Sequence, residues 1–185
     1  SFTKMFLLWA ANVSTKIDRL GSGTLYFSVS PSFGDAQRTE QGKQIGLEDD
    51  RDYLSGPVRW LLNPFFVPQP PASEMRDPER FKSRVALSLL SSEDLESISV
   101  WNPSFLLVIL EWITENRHRF IDNPQLALSE ERRSALMENE IPWTKVWPKL
   151  RFISCWADAN AGPLAGEVRR LFPDTFLQGK GLLAT

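Results

Sequence analysis

The chain contains one histidine, His118, and one cysteine, Cys155. Any acid–base or nucleophilic mechanism that needs either residue type has a single position to build on. His118 lies in Asn116-Arg-His-Arg119, at the polar end of a helical pattern, and the sequence supplies neither a nucleophile nor an orienting carboxylate for it. It reads as a surface or helix C-terminal residue, which sets aside a Ser-His-Asp or Cys-His hydrolase. Cys155, between Ser154 and Trp156, reads as a small buried hydrophobe. The acidic run Glu48-Asp-Asp-Arg-Asp52 lacks the alternating spacing and central glycine of a calcium loop and reads as solvated surface. No catalytic residue and no metal ligand is assigned. Gly179-Lys-Gly181 lacks the four-residue spacer and the Lys-Ser/Thr pair of a phosphate loop. Two stretches of small residues remain, Ala157-Asp-Ala-Asn-Ala-Gly162 and Gly179-Lys-Gly-Leu-Leu-Ala-Thr185, whose backbone a ligand could approach closely.

The elements around these stretches explain their placement. Leu150 to Trp156 is an apolar run of strand length, Pro163 to Phe172 is a short amphipathic helix with proline at its start, and Thr175 to Gln178 begins a second strand. Strand, crossover helix and strand make a parallel pair. Ligands of such sheets sit outside the carboxyl ends of the strands, where both small-residue stretches fall. Upstream, Asp77 caps a helix from Pro78 through Leu90 with Phe81, Val85 and Leu89 on one stripe. Ser97 to Trp101 is a strand, Asn102-Pro-Ser104 is the switch, and a helix with Leu106, Ile109, Leu110, Ile113 and Phe120 runs to about Asp122. Ser129 caps one more helix, through Glu138. Nearer the start, Phe2 to Leu20 reads as a helix and Thr24 to Ser30 as a strand. Ser32 to Gly56 is a polar surface loop. Pro57 to Pro78 carries six prolines around Trp60, Leu61, Leu62, Phe65, Phe66 and Val67, and reads as a structured irregular connection with buried aromatics.

The predicted fold is α/β, with a partly parallel sheet flanked by helices, in a single piece spanning residues 1–185. Within it, residues 1–56 supply a helix, strand and polar loop, 57–78 a proline-rich connection, and 79–185 the α/β units. Hydrophobic residues make up 42% and charged residues 24%, and the net charge is −2. That balance is ordinary for a globular domain and gives no reason to expect nucleic acid or an anionic membrane as partner. No apolar run approaches the roughly 20 residues of a membrane span, and a lone cysteine fits a cytoplasmic setting.

Three words in the chain, Trp147-Pro-Lys-Leu150, Ala157-Asp-Ala-Asn-Ala-Gly-Pro-Leu164 and Gly179-Lys-Gly-Leu-Leu-Ala-Thr185, resemble the Gretchen Hagen auxin-responsive family of acyl-acid amido synthetases and their bacterial relatives, a branch of the adenylate-forming enzymes. The resemblance implies an internal fragment of the large N-terminal domain of such an enzyme. It implies a ligase that activates a small carboxylic acid with ATP and magnesium and passes it to an amine or amino acid. It places Ala157, Asp158 and Ala159 against the adenine or acyl group, and Gly179, Gly181, Leu182 and Ala184 as the next wall. Thr185 contacts the nucleotide phosphate, while Val100, Trp101, Asn102 and Ser104 lie near the acyl acid. Read without the resemblance, Trp101 is equally well plain core and Asn102-Pro-Ser104 a helix cap.

In the family an acidic residue follows the position of Thr185 and holds magnesium, and a Ser/Thr/Gly-rich phosphate loop precedes the first helix. Neither is in this chain, nor are the ribose aspartate and the mobile C-terminal domain. The expectation is therefore a piece of a longer polypeptide, inactive by itself, with the rest of that polypeptide as its partner. Two other readings stay open: a non-catalytic α/β binding or scaffold domain, and a nucleotide-binding transferase of similar layout.

Overall fold

A computed structural model describes residues 23–28, 37–38, 44–45, 65–70 and 77–180. The helix expected over residues 2–20 lies outside them, as do Gly181, Leu182, Ala184 and Thr185.

Four strands form one sheet in the order β1-β4-β5-β6, and every neighbouring pair is parallel. They are β1 (Thr24–Phe27), β4 (Leu95–Ser99), β5 (Phe152–Cys155) and β6 (Phe176–Gly179). The central strands β4 and β5 are buried along their whole length, as parallel strands covered on both faces must be. Gly23 fixes where β1 begins. A Cβ there would stand 2.2 Å from the Asp94 carbonyl oxygen, so only glycine lets the two backbones meet this closely. Its N–H donates to the buried Glu96 Oε2 at 3.0 Å.

The helices follow the capping chemistry. Helix α1 (Pro78–Ser91) starts where the Asp77 side chain accepts from the N–H groups of Glu79 and Arg80, and Phe81, Val85 and Leu89 are buried on it. Helix α2 (Pro103–Glu115) starts where Asn102 Oδ1 accepts from the Ser104 N–H at 3.0 Å. The single helix expected to reach Asp122 is two. Asn116 leaves helical geometry at φ −106°, ψ 17°, and both its N–H and its side-chain amide donate to the Trp112 carbonyl. A short helix α3 (Arg117–Ile121) then follows. Asn competes for backbone groups in this way, and the apolar period does not register it. Helices α4 (Glu130–Met137, capped by Ser129), α5 (Trp143–Val146) and α6 (Gly162–Leu171) complete the described helices. His118 is exposed on α3.

Two sequence expectations are refined. The polar stretch from Ser32 to Gly56 contains a small antiparallel ladder, β2 (Gln37–Arg38) against β3 (Gln44–Ile45). In the proline-rich connection, Val67 is buried and donates its N–H to the Leu25 carbonyl at 2.9 Å, while Phe65 is exposed. That segment lies beside β1 through a parallel bridge between Leu25 and Phe66.

Trp147 joins three elements in the core. It is stacked on Trp143 at 5.5 Å between centroids, packs against Phe172, and donates its indole N–H to the Leu89 carbonyl at 3.1 Å. A buried indole needs such a partner, and here it is a buried carbonyl in the last turn of α1, which also accepts from the Ser92 N–H.

Candidate functional site at the carboxyl edge of the sheet

The four strand ends are tied in a row by backbone hydrogen bonds. Ser28 donates to the Ser99 carbonyl at 2.8 Å, Val100 to Ser154 at 2.9 Å, Trp156 to Trp101 at 2.8 Å, and Lys180 to Cys155 at 2.8 Å. The ladder therefore continues past the last formal strand residue and holds the following side chains in fixed register.

These side chains form an aromatic platform with one ammonium on it. Trp101 and Trp156 meet with centroids 6.1 Å apart at 58°. Trp101 is 42% exposed, so an indole face is presented at the edge. Lys180, just past β6, reaches back over β5 toward β4. Its Nζ donates to Ser99 Oγ at 2.9 Å, and lies 4.7 Å from the Trp101 ring centroid and 5.5 Å from that of Phe27. Both ring distances are in cation–π range. The lysine side chain thus connects residues from the first and last strands of the sheet. Beneath it, Cys155 is fully buried, and burial raises its thiol above the ordinary range, the reverse of what a reactive thiolate requires.

The residues assigned by resemblance are distributed as follows. Ala157 is half-buried, and Asp158 and Ala159 are exposed in the loop after β5. Ala159 takes φ 49°, a left-handed conformation that costs a non-glycine residue about 1–2 kcal/mol. Gly179 stands opposite that loop, and a Cβ on it would lie 3.3 Å from Ala157 Cβ. The first turn after β5 and the end of β6 are therefore adjacent. Trp101 is at the platform. Asn102 is exposed and its side chain caps α2. Ser104, half-buried in the first turn of α2, borders a groove of about 660 Å³ between α2 and α6, which Leu107, Trp143, Leu164 and Leu171 also line. Val100 is fully buried.

Lys180, Ser99, Phe27 and Trp156 were not singled out from sequence. Lys180 had a signal, a lysine between glycines at a strand's end. The pattern does not match a phosphate loop, and the family resemblance assigns roles to the flanking glycines and not to the lysine.

No family model and no curated protein matches the sequence. Solved structures do. An acyl acid amido synthetase, AtGH3.15 in complex with 2,4-DB, superposes with TM-score 0.70 at 11% identity, over 96% of this chain and 35% of that one. A second structure, GH3.15 acyl acid amido synthetase, gives TM-score 0.63 at 11% identity, over 97% and 37%. The fold is that of part of an acyl acid amido synthetase. The chain spans about a third of the length of these structures. At this identity the likeness is one of fold, and residue roles need their own argument.

Proposed function

We propose that this chain is part of an adenylate-forming ligase that activates a carboxylic acid with ATP and transfers the acyl group to an amine. The observation that carries the reading is the carboxyl edge of the sheet. Its exposed indole, its lysine and its close-packed Ala157–Gly179 pair lie together where parallel sheets bind ligands, on a fold shared with acyl acid amido synthetases.

In the first half-reaction a carboxylate oxygen attacks the α-phosphorus of ATP and the bond to the β-phosphate breaks, releasing pyrophosphate. In the second, the amine attacks the acyl carbon, the bond to AMP breaks, and the amine's proton is lost. Both steps depend on placement and charge stabilisation more than on a covalent protein group. This agrees with a site whose cysteine is buried and whose one histidine lies on the surface helix α3. Without a Cβ at Gly179 the end of β6 closes on Ala157, and the small residues at these two strand ends suit the close approach of an adenylate to backbone. Among the described residues no three His, Cys, Asp or Glu side chains converge, so magnesium's ligands are not assigned within them and no step is routed through the metal.

The test is to incubate the polypeptide that carries this chain with ATP, a mixture of carboxylic acids and a mixture of amino acids, and to look for AMP and amide by mass spectrometry. Acid-dependent AMP with an amide supports the ligase. AMP with a thioester, formed when coenzyme A is supplied, replaces the amine by a thiol. No AMP with any acid leaves the binding-domain reading.

A further inference from the structure

We infer that the open edge of β6 takes a further strand, an uncharged and mostly apolar segment of the longer polypeptide to which this chain belongs. The inference rests on the reading that the chain is part of a longer polypeptide, and it needs none of the ligase chemistry. The backbone fixes where the contacts form. Phe176 donates its N–H to the Arg151 carbonyl at 2.9 Å, and Lys180 donates its N–H to the Cys155 carbonyl at 2.8 Å. In a parallel ladder alternate residues face the same neighbour. The backbone groups of Phe176, Gln178 and Lys180 therefore face β5, while Leu177 and Gly179 turn their N–H and C=O groups away from it. Among the described residues β6 is the last strand in the sheet order, so no described strand meets that side.

The two edges of the sheet differ. At the β1 edge the chain closes the sheet itself, since Val67 donates its N–H to the Leu25 carbonyl at 2.9 Å beside the bridge between Leu25 and Phe66. Free edges are commonly protected by charge, proline or a bulge. Phe176-Leu-Gln-Gly179 carries no charge and no proline, and its register with β5 runs unbroken from Phe152↔Phe176 to Cys155↔Gly179. Apolar surface lies on both faces of this edge. On one face Phe176 stacks on Phe152 at 6.2 Å between centroids and is still 47% exposed. On the other, Leu177 packs against the core and is only half-buried. A strand laid here is apolar on both faces, as the strands of covered parallel sheets are. The sheet grows at this edge as the chain proceeds, from β4 to β5 to β6, and the solved structures on which it superposes are almost three times as long. A second copy of the chain fits less well. Two four-residue β6 edges side by side make far less than the roughly 1,000 Å² of a stable interface.

The experiment is hydrogen–deuterium exchange, resolved to single amides, on the polypeptide that carries this chain. A free edge gives alternation along β6, with Phe176 and Gln178 slow and Leu177 and Gly179 fast. The expected result is no alternation: Leu177 and Gly179 exchange at least about a hundredfold more slowly than unprotected amides, and remain so on about tenfold dilution. Alternation overturns the inference. Protection at Leu177 and Gly179 that disappears on dilution, as a dimer becomes a monomer, assigns the edge to a second copy and also overturns it. Acid-dependent ATP–pyrophosphate exchange is measured on the same preparation. Activity with alternation overturns the strand and leaves the ligase intact. Uniform protection without activity supports the strand and removes the ligase.

Discussion

At the scale of single residues, burial and hydrogen bonding do not always agree, and the disagreements are informative. Tyr26 is 1% exposed and its hydroxyl has no hydrogen-bond partner among the described residues. Burial without a partner raises its pKa far above the usual phenol range. The hydroxyl therefore contributes a desolvation cost, while the ring packs parallel to Phe105 at 6.5 Å. Tyr26→Phe should leave stability unchanged or raise it by up to about 1 kcal/mol, because removing an unsatisfied buried polar group relieves its penalty. Urea denaturation of the two forms measures this, and a loss above about 1 kcal/mol would show that the hydroxyl has a partner in solution. Arg132 is a mixed case, because its buried Nη1 also has no partner among the described residues while its other guanidinium nitrogens do. It is 2% exposed, and its guanidinium donates to the Val146 carbonyl at 2.8 Å and the Leu90 carbonyl at 2.7 Å.

At the scale of elements, the same arginine ties the ends of α1 and α5 to the start of α4. Helix ends leave carbonyls that need donors, and Arg132 supplies two of them inside the core. Arg132→Ala leaves both buried carbonyls without that donor and should cost about 2–5 kcal/mol by the penalty for each, read as a lower urea midpoint with an unchanged m-value. A change below 1 kcal/mol would mean that water takes the arginine's place. Asn102 poses a sharper question, since it is both the cap of α2 and a residue the family resemblance places near the acyl acid. As a cap, Asn102→Ala should cost about 1 kcal/mol and Asn102→Asp almost nothing. If Asn102 also meets the acid, Asn102→Asp puts like charge beside a carboxylate and raises KM for the acid. Stability that follows the cap rule with an unchanged KM confines Asn102 to capping.

Much of the element plan was legible in the sequence, for local reasons. Asp77-Pro78 and Asn102-Pro103 announce their helices because capping and the missing proline N–H are properties of neighbouring residues. The run Phe152–Cys155 and the proline-led α6 are legible in the same way. The break at Asn116 was not, because a side chain returning to its own helix leaves the apolar period intact. The pairing of strands was legible only as a parallel crossover; the order β1-β4-β5-β6 brings together residues as distant as Gly23 and Glu96, and no local pattern encodes that. The candidate site divides along the same line. Its small-residue loops could be located, since a loop after a strand is a local feature. The platform could not, because Lys180 and Ser99 are 81 residues apart and meet only once the sheet is assembled.

At the scale of the whole molecule, the four-stranded parallel sheet aligns four strand ends at one edge, and the side chains there bring charge, aromatic surface and close backbone together. The described residues form the sheet and one side of a ligand site in the adenylate-forming reading. Because the solved structures it resembles are almost three times as long, the activity is proposed for the polypeptide that carries the chain, with the 185-residue chain as its natural control. The most direct measurement is ATP–pyrophosphate exchange against a panel of carboxylic acids. The account predicts exchange that depends on one class of acid in the carrying polypeptide, and none from the 185-residue chain alone. Exchange by neither, at saturating ATP and magnesium and with every acid, would contradict the ligase and leave an α/β domain that shares only the fold.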